Sequence, residues 1–228
     1  MSLADECAGA LYVATRGHYI VVGDLMKSVS LLMYRPEENA IVECARDFNA
    51  NWMSAVEALD EDTFVGAENS YNLFTVRRNA DAGTDEERQR LETVGEFNSG
   101  EFINRFRHGS LVMRAPDSEV AASPTLLFGT INGVIGLLAN LPREAYEFAH
   151  RLQGVLQGVI QGVGGLSHAE WRSFVNERKS ASARGFVDGD LIEAFLDLKR
   201  GRMEEVARLM GMGVEEVCRR VEELARLH

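Results

Sequence analysis

The chain has 228 residues, 46% of them hydrophobic and 26% charged, with a formal net charge of −11. That composition suits one or two globular domains and excludes a disordered or fibrous chain. The acidity is concentrated in residues 1–139, while 140–228 are close to neutral, so neither part is the basic block of a free-standing nucleic-acid binder.

In chain order, the first texture is a series of short apolar runs between turn residues. They are Ala10–Ala14, Tyr19–Val22, Val29–Tyr34, Ala40–Cys44, Met53–Leu59, Phe64–Ala67 and Leu73–Val76. Their Val, Ile, Leu and aromatic content and their length predict strands. Val22-Gly23-Asp24, Val65-Gly66-Ala67 and Phe128-Gly129-Thr130 each close one strand ahead of another. Gly23 and Gly66 lie 43 positions apart, within the ~40–45-residue period of a four-stranded propeller blade. Gly66 and Gly129 lie 63 positions apart. The excess holds a capping box, Thr84-Asp-Glu-Glu87, opening a short charged helix, and a polar loop over Ala115–Ser123 with Pro116 and Pro124 nearby. A sandwich or barrel of hairpins gives the same pattern, and no WD dipeptide decides between them. Arg105 and Arg107 alternate with Phe106, which predicts charges on one strand face and an aromatic on the other.

The second texture starts at Leu141-Pro142, a helix start signal. Apolar residues at helical spacing run from Ala145 to Val163 and stop at Gly164-Gly165. Ser167-His-Ala-Glu170 is a second capping box, and Asp190 to Glu193 repeats its spacing. Met203, Val206, Ala207 and Met210 form a further stripe, and Val214, Val217, Cys218, Val221, Leu224 and Ala225 the last. The fold class expected is mainly β with an α-helical C-terminal domain. It comprises a partial β-propeller of about three blades over 1–139 and a small helical domain over 140–228.

Three scattered cysteines, Cys7, Cys44 and Cys218, fit reduced thiols of cytosol or nucleus. No signal peptide is visible. Val120–Pro142 is uncharged, but Pro124, Asn132, Asn140 and three glycines read as strands and turns, so no membrane span is expected.

Catalytic patterns are missing. Gly109-Ser110 lacks the flanks of a nucleophile elbow, and no phosphate-binding glycine motif occurs. The histidines His18, His108, His150, His168 and His228 are isolated and read as surface or capping groups. Asp60-Glu61-Asp62 reads as a solvated turn. Asp188-Gly189-Asp190 resembles the start of a calcium loop, but its twelfth position is Lys199, so helix N-capping is the economical reading. Trp171-Arg172-Ser173-Phe174 with Arg178-Lys179 reads as a core-facing Trp and Phe beside a cationic loop; a platform for single strands is the sharper alternative. No enzyme activity, metal or cofactor is expected.

Several segments carry a resemblance. They are Val21–Val29, Ala45–Val56, Gly66–Asn69, Thr84–Arg88, Gly100–Asn104, His108–Met113, Phe128–Gly133, Trp171–Phe174 and Asp188–Glu193. In this order they resemble the C-terminal end of the DNA damage-binding protein 1 family, the large subunits of a damaged-DNA-binding complex and adaptors of cullin-4-type ubiquitin ligases. The likeness runs from about Leu11 to His228 and looks closest to plant or green-algal members. It implies three β-propellers and a helical domain in a much longer chain, of which this sequence is the last part, with exposed strand edges and marginal stability if made alone. It also implies scaffolding in nucleus and cytoplasm. By the same resemblance, WD-repeat substrate receptors insert a short helical motif between the first and third propellers, and this chain holds the third-propeller side. The cullin is reached only through an upstream propeller, and damaged DNA indirectly through a partner subunit. The receptor-binding residues so implied are Leu11, Tyr12, Trp52, Phe102, Asn104 and Ile131, with Lys27, Arg46 and Arg105 beside them. An apolar seat with orienting polar groups suits that task. Arg105 departs from the family, which is apolar there. Core packing is the bland reading of Phe102 and Ile131. The alternatives are a pre-mRNA cleavage/polyadenylation or splicing scaffold of the same superfamily, and a nucleic-acid-binding module.

Overall fold

A computed structural model describes residues 9–112 and 125–227. Cys7, Met113, the loop Ala115–Ser123, Pro124 and His228 lie outside the described residues. Two compact units can be separated. Unit 1 comprises 9–107, 128–136 and 172–185; unit 2 comprises 108–112, 125–127, 137–171 and 186–227.

Strands β1 (Ala10–Arg16), β2 (Tyr19–Asp24), β3 (Ser28–Arg35) and β4 (Ala40–Arg46) form an antiparallel sheet in chain order. Strands β5 (Met53–Ala58), β6 (Thr63–Glu68), β7 (Asn72–Arg78) and β8 (Leu91–Asn98) repeat that meander. Between β7 and β8 lies α1 (Asp85–Arg88), capped as its sequence predicts: Thr84 Oγ1 accepts from Glu87 N at 3.3 Å. Strands β9 (Ile103–His108), β10 (Thr125–Thr130) and β11 (Ile135–Ala139) form a third sheet in the order β11–β10–β9. None of these sheets closes on itself among the described residues.

The first two sheets of unit 1 share a core. Val21, Val29, Leu31 and Ala45 pack with Met53, Phe64, Phe74, Val76 and Leu91, all buried. Strand alternation supplies this face, because successive side chains point to opposite sides. Gly23 on β2 and Gly66 on β6 are both second-strand positions of their sheets. A Cβ at Gly66 would fall 2.6 Å from Phe74 and 2.8 Å from Met53, so any larger residue there would have to displace those buried side chains. Phe106 is buried between the exposed Arg105 and Arg107, as the alternation predicts. Asp60 Oδ1 accepts from Asp62 N at 2.9 Å and Thr63 N at 2.7 Å, which makes Asp60–Asp62 a turn closed by its own side chain.

Unit 2 is built on α2 (Arg143–Val159), α3 (His168–Trp171), α4 (Gly189–Glu193), α5 (Arg200–Met210) and α6 (Val214–Ala225). Phe148, Leu152 and Leu156 of α2 pack with Ile192, Phe195, Val206, Met210, Val217 and Val221. Helix α2 ends at Val159, earlier than the apolar stripe suggests, and Ile160 is already extended. Gly154, Gly158 and Gly162 weaken helix propagation over that stretch. Helix α5 stops at Gly211 in the left-handed conformation, φ 67°, with Met212 N bonded to Ala207 O at 3.0 Å.

Three local expectations change. Trp171 is 47% exposed and so is not a core residue, whereas Phe174 is buried. His168 is neither a surface nor a capping group: its side chain is largely buried, with Nε2 2.7 Å from Asp188 Oδ2 and Nδ1 2.9 Å from Gln157 Nε2. Asp188 precedes α4 but makes no side-chain capping bond; its carboxylate takes His168 instead. A buried carboxylate needs a charged or strongly donating partner more than an exposed helix end needs a cap.

Candidate functional site

In the first sheet, Ala10 pairs with Asp24 and Ser30 with Arg46. This places the start of β1, the β2–β3 turn and the end of β4 at one end of the sheet. In the second, Met53 pairs with Glu68 and Asn72 with Asn98, giving the same arrangement. The connections that follow β4 and β8 carry Trp52 and Phe102.

Backbone hydrogen bonds stitch these turns to one another. Ser28 N donates to Asn51 O at 3.3 Å, Asn69 N to Trp52 O at 3.0 Å, Ser99 N to Tyr71 O at 2.9 Å, and Ile131 N to Phe102 O at 3.1 Å. The result is a seam within unit 1 running past Lys27, Trp52, Tyr71, Phe102 and Ile131. Large apolar side chains remain in solvent along it: Trp52 is 46% exposed, Tyr71 49% and Ile131 62%. Tyr71 packs edge-on against Phe102, ring centroids 6.4 Å apart. Its φ of 66° is unusual for a bulky residue.

Buried carboxylates hold the turns. Asp24 Oδ1 accepts from Met26 N at 2.9 Å and Lys27 N at 3.0 Å, and its Oδ2 from Gly9 N at 3.0 Å. Burial pushes the Asp24 carboxyl up, but these backbone donors outweigh it and hold the group below its ordinary value. Asp47 accepts from Ser28 Oγ at 2.6 Å and from Asn49 N at 3.0 Å; burial raises its carboxyl above the usual range. Glu68 accepts from Asn72 Nδ2 and is likewise raised by burial.

The nine residues named from the sequence all lie in unit 1. Lys27, Trp52, Phe102 and Ile131 are brought together along the seam. Leu11, 53% exposed, and the half-buried Tyr12 begin β1 at the same end of the first sheet. Asn104 and Arg105 are exposed on β9. The Arg46 guanidinium is engaged by Glu43 at 2.5 Å and its backbone N by Gln89 O at 2.9 Å, which ties it to its own sheet and the α1 region. Sequence reasoning missed Leu25, Met26 and Tyr71, exposed apolar residues on the β2–β3 and β6–β7 turns. The available signal was large apolar residues inside hairpin turns, where polar ones are usual.

An apolar strip on a hydrogen-bonded frame can bind a complementary apolar helix face. Among the described residues, no three or more His, Cys, Asp or Glu side chains are placed to hold a metal ion. No described helix is long and apolar enough to cross a membrane.

The family model described as the CPSF A subunit region matches residues 2–197. The chain belongs to that family. Similar curated proteins include DNA damage-binding protein 1 of Oryza sativa subsp. japonica, 66% identical over 99% of this chain and 21% of that protein. DNA damage-binding protein 1a of Arabidopsis thaliana is 65% identical over the same shares, and its 1b counterpart 61%. These matches bear out the resemblance read from the sequence. The chain spans about a fifth of the length of these relatives.

Proposed function

We propose that this chain supplies one wall of a receptor-docking site in a non-catalytic scaffold of the DNA damage-binding protein 1 type. In this reading the sheets are blades of a β-propeller that further chain completes, and the helices of unit 2 form a C-terminal helical domain. The scaffold serves cullin-4-type ubiquitin ligases in nucleus and cytoplasm. A WD-repeat receptor lays a short amphipathic helix on the seam, and the cullin docks on a different propeller. Holding both raises the effective concentration of substrate beside the transfer machinery. The relatives' names speak of damaged DNA; here a net charge of −11 favours reaching DNA through a partner subunit.

The observation that carries this reading is the seam itself. Four backbone hydrogen bonds hold Trp52, Tyr71 and Ile131 in solvent beside the half-buried Phe102, where the fold gains nothing from exposing them. Aromatic anchors on a rigid, hydrogen-bonded frame are the makings of a binding hot spot. The test is the affinity of a synthetic receptor helix for the full-length protein. Trp52→Ala should weaken it by about 1–3 kcal/mol with an unchanged melting temperature. Undiminished binding, or unfolding of the variant, overturns the assignment.

A further inference from the structure

Residues 172–178 lie far from the seam in sequence, yet they belong to unit 1 and bond to three of its turns. Arg172 is buried, with its guanidinium 4.9 Å over the Phe97 ring. Its Nη1 donates to Asn98 O at 3.2 Å and Ser99 O at 3.1 Å. Ser99 in turn holds Tyr71, its N and Oγ both donating to Tyr71 O. Val175 in β12 (Phe174–Val175) exchanges two bonds with one side chain: Asn72 Nδ2 donates to Val175 O at 2.9 Å and Val175 N to Asn72 Oδ1 at 3.4 Å. Asn176 closes its own turn through Oδ1, which accepts from Arg178 N and Lys179 N. Its Nδ2 reaches across to Asn51 Oδ1 at 3.3 Å, one residue from Trp52. Arg178 Nη1 donates to Ala50 O at 3.2 Å. The far side of the hairpin, β13 (Ser180–Ala181) and beyond, is fastened by Glu96. That buried carboxylate takes Lys179 and Arg184, while the Glu96 and Arg184 backbones bond mutually at 2.8 Å.

We propose that the segment from Arg172 to Arg178 is a clamp that positions the docking wall. It fixes the turns at 50–52, 69–72 and 98–100 relative to one another before any partner arrives. The turns meet it through separate residues: Arg178 and Asn176 hold the first, Val175 the second and Arg172 the third. The positive φ of Tyr71 is a conformation a bulky side chain keeps only where its surroundings over-determine it, and the Arg172–Ser99–Tyr71 chain supplies that restraint. A wall held in its bound geometry does not lose ordering entropy on binding. Arg172, Asn176 and Arg178 are therefore positioning residues that need not touch the partner. The inference rests on the docking reading for its purpose, but its physical content can be measured without a partner.

The test uses the full-length protein and three variants: Asn176→Ala, Arg178→Ala and Arg178→Lys. Asn176 is half-buried and Arg178 exposed, so neither substitution opens a core. Hydrogen–deuterium exchange is read over the three turns, alongside melting temperature and affinity for the synthetic receptor helix. Each alanine variant should raise amide exchange at 50–52 by roughly tenfold, and at 69–72 by less, through the Asn69 N–Trp52 O bond, at unchanged melting temperature. Helix affinity should fall roughly 3- to 10-fold, the cost of ordering one or two side chains on binding. Arg178→Lys, which keeps a donor for Ala50 O, should restore both. Wild-type exchange in the turns of both alanine variants overturns the clamp, as does a lowered melting temperature without turn-specific exchange. If the helix ignores the wild-type protein and Trp52→Ala alike, the docking reading falls, while turn-specific exchange still upholds the clamp.

Discussion

Unit 1 keeps carboxylates inside. Asp24, Asp47, Glu68 and Glu96 are all buried and bonded to turns or to the 172–185 hairpin. Unit 2 wears its charges outside an apolar core: Glu216 pairs with Arg219 and Arg220, Arg219 also with Glu223, and Arg200 with Glu204 and Glu215. His168 with Asp188 is its buried exception. The difference separates two tasks. Exposed ion pairs add little to stability, so unit 2 stands on side-chain burial. Buried, bonded carboxylates fix geometry more than they add stability, and in unit 1 they fix turns beside the exposed Trp52 and Tyr71.

The largest effect expected from that contrast is in unit 2. Phe195→Ala removes a fully buried ring from the centre of its core and should cost about 3–5 kcal/mol, read as lost protection of α5 and α6 amides. Protection in the β2–β3 and β6–β7 turns should persist; collapse of both together would break the division of labour.

A smaller effect separates Glu68 of unit 1 from Glu216 of unit 2 by the sign of their pH dependence. Burial raises the folded-state pKa of Glu68 above its ordinary 4.5, so between those values the folded state holds a proton that the unfolded chain has lost. Glu68 therefore contributes a stability that falls as pH rises from 4.5 through the raised value. Glu68→Gln should flatten that part of the stability–pH curve, and an unaltered slope in urea titrations would show that Glu68 is ionised without penalty.

The smallest effect is the opposite one. Hydrogen bonds from Arg219 and Arg220 lower Glu216 to about 2, so its contribution is complete above 4.5 and fades as pH falls towards 2. Glu216→Gln should remove only that acid limb, and added salt should weaken the same limb in the wild type because these groups face solvent. A salt-insensitive limb would place the charges of unit 2 in the wrong category.

Much of this was legible in the sequence. Strands such as Tyr19–Val22 and Leu73–Val76 follow from local composition; Thr84 caps its helix and the Ser167 box closes, with Ser167 N 3.0 Å from Glu170 Oε2, whereas Asp190, which repeats the spacing, lies inside α4. These signals are local, and their partners lie within four residues. The hairpin at 172–185 was not legible, because its bonds reach Asn51, Asn72 and Asn98 across long stretches of chain. A two-residue strand has no periodicity to read. Trp171 misled for a related reason: a large aromatic reads as core-facing, but α3 is one turn long and leaves the ring in solvent. The site residues came from family resemblance. Structure adds which of them the seam gathers, and it adds Tyr71.

Footprinting tests the account's central claim most directly: hydrogen–deuterium exchange of the full-length protein with and without a bound WD-repeat receptor. The account predicts new protection at 50–52, 69–72, 98–102 and 131, and none over α5 and α6. Protection confined to the helices of unit 2, with the seam unchanged, would contradict it.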